Sequence, residues 1–282
     1  MLIKGEPRPR SFYVLAIFFS LFVIFLYGPT FGIILLSFQG PDGGLTFPLN
    51  GFSFHWFGEL FQEQRVGDFK SSFQRSFFLA IIVMTLTVIF SLAAGLAYRK
   101  HFFGATFVFY LTVASLIVPS ILLTLGIGLM FDQFDWGAAW YSSGIGAHLT
   151  WTLPFGLLIM FAVFNRFDKS FEEAARDLGA SPWQVLRYVI LPIIGPSLIG
   201  VGLFGFTLSF DEFARSLLAV GSKNTLPLEL FGMTTTVTTP TLYAFGTVTT
   251  FVSFLIIGIF LGAVIWIQKN QSKYGSDAGK GI

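Results

Sequence analysis

The chain has 282 residues, 54% of them hydrophobic and only 11% charged, whereas soluble domains carry roughly 25% charged residues. With 37 phenylalanines it is suited to a lipid bilayer, and its formal net charge of +2 is too small to point to nucleic acid. The absence of cysteine excludes a disulfide framework, thiolate metal ligation and thiol catalysis.

The basic start leads into a first apolar run too long for a signal-peptide core, with no small-residue cleavage site after it, so it reads as a retained span. Further runs, each able to cross about 30 Å of hydrocarbon, predict six spans at 12–38, 76–98, 105–131, 143–164, 193–220 and 245–267. The loop between the first two, 39–74, carries Phe52, Phe54, Trp56 and Phe57, a pattern suited to a short helix at the membrane interface. Pro29, Pro119, Pro154 and Pro196 lie in or near spans and predict kinks, because neighbouring helices can satisfy the freed carbonyls. Ser91 with Gly95 and Gly205 with Ser209 place small residues four apart, where helices approach closely. Asp132, Asp135 and Trp136, between the third and fourth spans, fit either a solvated rim or a contact with basic residues of a partner protein. His55, His101 and His148 are too scattered for a metal site, and His148 reads as a packed, hydrogen-bonded residue at a span end. No spacing rule assigns a role to the threonines at 234–236, 238 and 239. There is no internal repeat or linker, so the expectation is one all-α membrane domain over residues 1–282.

Orientation follows from the basic residues. Lys4, Arg8, Arg10, Arg99, Lys100, Arg166, Lys169, Arg176, Arg187, Lys269, Lys273 and Lys280 collect on one side, against Arg65, Lys70, Arg75 and Lys223 on the other. The positive-inside rule then puts both termini, and the segment between the fourth and fifth spans, in the cytoplasm.

That segment is a polar island at about 170–192. Ser170 with Glu173 and Ser181 with Gln184 fit the capping box, which starts a helix by satisfying its orphan N–H groups. Gly179 stands where a first short helix stops, and Pro182 at the first position of a second. Phe171, Ala174, Ala175 and Leu178 fall at i, i+3, i+4 and i+7, one small apolar face bordered by charge. A capped connector and a surface held by a partner both fit this pattern.

A second polar site lies in the fifth predicted span. Asp211, Glu212 and Arg215 are ionisable groups at membrane depth, costly unless paired or hydrated. As a helix from Ile193, the segment carries Asp211 about 27 Å along, in the half of the span away from the island. Asp211 and Arg215, at i and i+4, share a face as an expected ion pair, which leaves Glu212 the freer carboxylate. Pathway lining, gating and structural pairing all remain open for these residues.

The island resembles the EAA loop of membrane subunits in binding-protein-dependent ABC importers of type I. That pattern runs E-A-A, three residues, G, nine residues, I-x-L-P. The chain has Glu173, Ala174 and Ala175, then Gly179, then Val189, Ile190, Leu191 and Pro192, with valine for the first isoleucine. Leu36, Ser37 and Phe38, Gly51 and Phe52, Trp56, His148, Leu153 and Pro154, and the run Phe206 to Phe213 are similar to the polyamine-type branch, and within it to the second permease of spermidine/putrescine importers.

The resemblance implies a six-span permease fold with cytoplasmic coupling helices in the bacterial inner membrane. It implies pairing with a second permease, docking of Glu173, Ala174, Ala175, Asp177, Gly179, Leu191 and Pro192 on a cytoplasmic ATPase dimer, and delivery of solute by a periplasmic binding protein. Glu173 would add a charge contact to the ATPase. Ser209, Asp211, Glu212 and Arg215 become candidates for the pathway or gate of a small, polyamine-like amine, although Arg215 partly cancels the carboxylates. No catalytic residue is expected. The chain has no G-x-x-x-x-G-K-[ST], since the stretch at 275–280 has the wrong spacing, so ATP and Mg belong to the partner ATPase. Two other classes compete. A secondary transporter usually carries paired inverted halves, and a non-transporting assembly subunit leaves Asp211 and Glu212 unexplained.

Overall fold

A computed structural model of the chain describes residues 9–62, 67–237 and 239–273, the last four of these by backbone alone. Lys4, Arg8, Arg65 and Lys280 of the charge comparison, Thr238 and the 275–280 stretch lie outside the described residues. The regular secondary structure of the described residues is helical, with an isolated antiparallel bridge between Gln39 and Phe52. They divide into two compact units, Met1–Gly67 with Met233–Thr250 and Asp68–Gly232 with Phe251–Ile282.

The first unit holds α1 (Arg10–Leu36), which contains Pro29 and leaves almost all of its apolar side chains exposed. Beyond it, the loop is tied by Gln39, a buried side chain that the sequence pattern does not single out. Its Nε2 donates to the carbonyl of Gly44 at 3.2 Å, and its Oε1 accepts the N–H of Asn50 at 2.6 Å. The aromatic stretch forms the short α2 (His55–Glu59), with Trp56 buried and Phe52 stacked on Phe38. The Tyr243 hydroxyl donates to the Leu45 carbonyl at 2.7 Å.

The second unit opens with α3 (Phe69–Ala97), which begins about two turns before the predicted span. Asp68 caps it, accepting the Ser71 N–H at 3.1 Å. The third predicted span is broken into α4 (Ala105–Ala114) and α5 (Ser120–Gln133). Pro119 disfavours helical geometry at the residue before it. Ser115 covers carbonyls at the break, its hydroxyl reaching Thr112 at 2.7 Å and Thr150 at 3.0 Å. Next come α6 (Ser143–Arg166), α7 (Ser170–Asp177), α8 (Pro182–Val185) and α9 (Leu191–Phe210). Two further helices, α10 (Leu226–Thr236) and α11 (Thr241–Lys273), each begin in one unit and end in the other. Among the described residues, five helical stretches are long and apolar enough to span a membrane, and the broken α4–α5 segment is a sixth apolar stretch.

In this unit α3 packs between α6 and α9. Small residues set the spacing, as the sequence predicts. A Cβ on Gly205 would meet the Met84 backbone at 3.2 Å, and one on Gly156 would run into Ser91. Thr87 and Thr152 join their hydroxyls at 2.7 Å between α3 and α6.

Candidate functional site

The polar island departs from its sequence reading at both ends. Ser170 is not a cap, because Lys169 already has helical angles (φ −67, ψ −20) and the helix is entered one residue earlier. The Asp168 carboxylate accepts the Ser170 N–H at 2.9 Å instead, a bond that holds the Asp168 pKa below its ordinary value. Glu173 therefore does no capping and is exposed. At the other end Gly179 takes φ +85, its N–H donating to Arg176 at 2.8 Å and that of Ala180 to Ala175 at 3.0 Å, a Schellman ending. A Cβ on Gly179 would meet nothing within 4 Å, so the need for glycine is backbone strain, not clash. The second capping box forms as predicted, with the Ser181 N–H donating to Gln184 Oε1 at 2.7 Å and the Gln184 N–H to Ser181 Oγ at 3.4 Å.

From Pro182 the chain does not make a separate second helix. It continues through a π-helical turn at Leu186–Ile190 into α9, an unbroken rod to Phe210. Pro192 lacks an N–H and crowds the carbonyl four residues back; the wider turn just before it absorbs that mismatch. The base is an apolar cluster of Met160, Val163, Phe167, Val185, Ile190 and Ile194. Ala175 packs on this cluster, whereas Phe171, Ala174 and Leu178 face outward, Leu178 at 89% exposure. Trp183 and Tyr188 are exposed as well.

Glu172 lies about 100° around α7 from Glu173 and is buried. One of its oxygens binds the Arg99 guanidinium and the other accepts from Arg176 Nη2 at 3.3 Å. Arg99 also lies 5.2 Å from the Phe164 ring centre and 5.4 Å from that of Phe167. A cleft of about 500 Å³ opens where the end of α3 meets α7 and α8, with Arg99, Lys100, Lys169, Glu172 and Glu173 among its lining residues.

At the far end of the rod α9 stops at Phe210, not 220. Asp211 is its C-cap (φ −95, ψ 7), and the residues that follow form turns packed on the start of α6. Ser143 Oγ, for example, donates to the Ala219 carbonyl at 2.5 Å. The expected Asp211–Arg215 pair is not formed, because without a helix the two share no face. Arg215 is 2% exposed, its guanidinium 4.3 Å from the Trp151 ring centre, and its Nη1 lies 3.6 Å from Glu212 Oε2. Glu212 Oε1 accepts the Arg215 backbone N–H at 2.9 Å. Asp211 is exposed and makes no ion pair among the described residues. Ser209 is buried against His148, whose Nδ1 lies 2.8 Å from Ser209 Oγ and whose Nε2 lies 3.0 Å from Ser216 Oγ. His148 is thus the packed, hydrogen-bonded residue the sequence suggested.

Residues 88–269 match the model of the family described as binding-protein-dependent transport system inner membrane component. The chain belongs to this family. It is similar to the spermidine/putrescine permease PotC of Haemophilus influenzae, 31% identical over 81% of the chain and 88% of that protein. PotC of Escherichia coli K12 is 28% identical over 85% of the chain and 89% of its own length, and the putrescine permease PotI of the same strain 28% over 73% and 75%. The fold matches a bacterial ABC transporter that imports the acidic polysaccharide alginate, with TM-score 0.68, 16% identity and coverage of 92% of this chain and 98% of that one. It also matches the inward-facing MetNI methionine transporter, with TM-score 0.54, 16% identity and coverage of 69% and 93%.

The chain is therefore a multi-pass inner-membrane permease subunit of an ABC importer, a non-catalytic component of the transporter. In this permease the structure joins residues the motif does not name. Arg99 and Glu172 are 73 positions apart, and no local spacing signals their contact. Trp151 carried a weak signal as an aromatic residue one helical turn beyond His148.

Proposed function

We propose that the permease pairs with a second, different permease to form the pathway for a polyamine-like amine. The amine is delivered by a periplasmic binding protein, and a cytoplasmic ATPase dimer that holds the ATP and Mg drives the cycle. In this reading residues 1–282 act as one permease domain with both termini in the cytoplasm. The coupling residues Glu173, Ala174, Ala175, Asp177 and Gly179, with Leu191 and Pro192 at the root of α9, form the part engaged by the ATPase. Ser209, Asp211, Glu212 and Arg215 mark the outer end of the pathway. Glu212 and Arg215 neutralise each other, so Asp211 is the group facing the amine.

The observation that supports ATPase docking is the outward apolar face of α7, Phe171, Ala174 and Leu178, on a helix fixed by Asp168 at one end and Gly179 at the other. Similarity to permeases for spermidine/putrescine and putrescine supports an amine as the solute. Leu178→Asp puts a charge into that face without touching the core, so the variant inserts and melts like the wild type but fails to co-purify with the ATPase. Undiminished co-purification refutes the docking face. Uptake of labelled putrescine and spermidine by the assembled transporter tests the substrate, and failure with both removes the amine reading.

A further inference from the structure

The motif glutamate, Glu173, points out of the protein, while its neighbour Glu172 points in. Glu172 is 5% exposed and shares its two oxygens between Arg99 and Arg176. Arg176 belongs to the same short helix, so that contact only stiffens α7. Arg99 lies two residues past Ala97, the last residue of α3, at the negative pole of that helix, where a cation is favoured. Its guanidinium lies over Phe164 of α6 and Phe167 of the connector. The cleft opens between the end of α3 and the coupling helices, and the Arg99–Glu172 pair reaches across it.

We infer that Arg99 and Glu172 form a strut that transmits movement of α7 to α3. This rests on the proposal that α7 is the element the ATPase moves. Besides the short connector to α6, two routes then leave the coupling segment. One is covalent, through α8 and the π-helical turn into α9. The other is ionic, from Glu172 to Arg99 and so to α3, the helix packed against both α6 and α9. A charge pair sheltered from water holds two elements at fixed distance and direction, which an apolar contact sliding over the cleft does not. Driving α9 alone, with α3 left behind, moves one wall of the three-helix core against another. Neither residue touches solute or nucleotide in this scheme; both are positioning residues.

The test uses the complete transporter with its ATPase, second permease and binding protein in lipid nanodiscs. Because the chain has no native cysteine, Phe90→Cys on α3 and Leu158→Cys on α6, both exposed side chains, accept spin labels in this subunit without background. ATP should change the distance between the labels in the otherwise wild-type subunit. Glu172→Gln should keep co-purification with the ATPase and ATP hydrolysis but lose that distance change. In proteoliposomes, ATP hydrolysed per putrescine imported should rise at least about fivefold, the low end of ordinary coupling between sites. The exchange Arg99→Glu with Glu172→Arg should restore both readings.

An unchanged label response in Glu172→Gln overturns the strut, as does an exchange variant that assembles but stays uncoupled. Loss of assembly in Glu172→Gln makes the pair a folding element and overturns it too. If the otherwise wild-type permease does not co-purify with the ATPase, the docking proposal itself fails and takes the strut with it.

Discussion

Replacing Glu212 by glutamine removes the carboxylate paired with Arg215 among the described residues. The arginine is 2% exposed and Glu212 12%, so little water is at hand to compensate. The guanidinium keeps its place over Trp151, and a cation over an aromatic ring is worth about 0.5–2 kcal/mol. That does not replace the lost charge. Removing one partner of a buried pair costs about 3–5 kcal/mol. At roughly 2–4 °C per kcal/mol, the melting temperature should fall by on the order of 10 °C. Asp211→Asn, in contrast, breaks no ion pair among the described residues and should stay within about 0.5 kcal/mol of wild type. Changing Glu212→Gln and Arg215→Gln together should recover much of the loss, because no charge is then stranded. Melting curves of the purified permease in one detergent read all three. If Asp211→Asn melted low and Glu212→Gln like the wild type, the pairing at the end of α9 would be wrong.

Three further outcomes are expected. Gly179→Ala forces a side chain into left-handed backbone with φ +85 but no steric clash, so it should cost about 1–2 kcal/mol, measurable by denaturant or thermal unfolding. Gly205→Leu inserts a side chain where the Met84 backbone would lie 3.2 Å from a Cβ; overpacking of about 1–3 kcal/mol should lower the melting temperature, whereas Gly200→Leu, facing open space, should not. Asp68→Ala removes the α3 cap and should cost about 0.5–2 kcal/mol at neutral pH. Hydrogen bonds from Ser71 hold the Asp68 carboxyl below its usual value. Its contribution is therefore complete above the unfolded value near about 4 and is lost as pH falls through the lower folded value. Melting of wild type and variant should accordingly converge below about pH 4; a constant gap would show that the cap does not act through its charge.

Features governed by neighbours in sequence were legible without coordinates. The apolar runs announced the membrane helices because the bilayer demands a minimum length of hydrocarbon-compatible chain. Ser181, Pro182 and Gln184 announced the start of α8, and Gly179 the corner before it, because caps and left-handed turns are settled within four or five residues. The E-A-A and glycine spacing of the island is likewise a local pattern. The end of α9 was not legible: leucine, alanine and valine at 217–220 look the same to hydropathy whether they continue a helix or pack as turns against the start of α6. That choice depended on Ser143, Trp151 and His148, brought from another helix. For the same reason the charge partners were misplaced, since i, i+4 geometry applies only while the helix continues. Glu172 and Glu173 are the same residue type side by side. Only the packing of α7 beside Arg99 decided which of them turns inward to an arginine 73 positions away, because a buried charge is stable only where the fold places an opposite charge beside it.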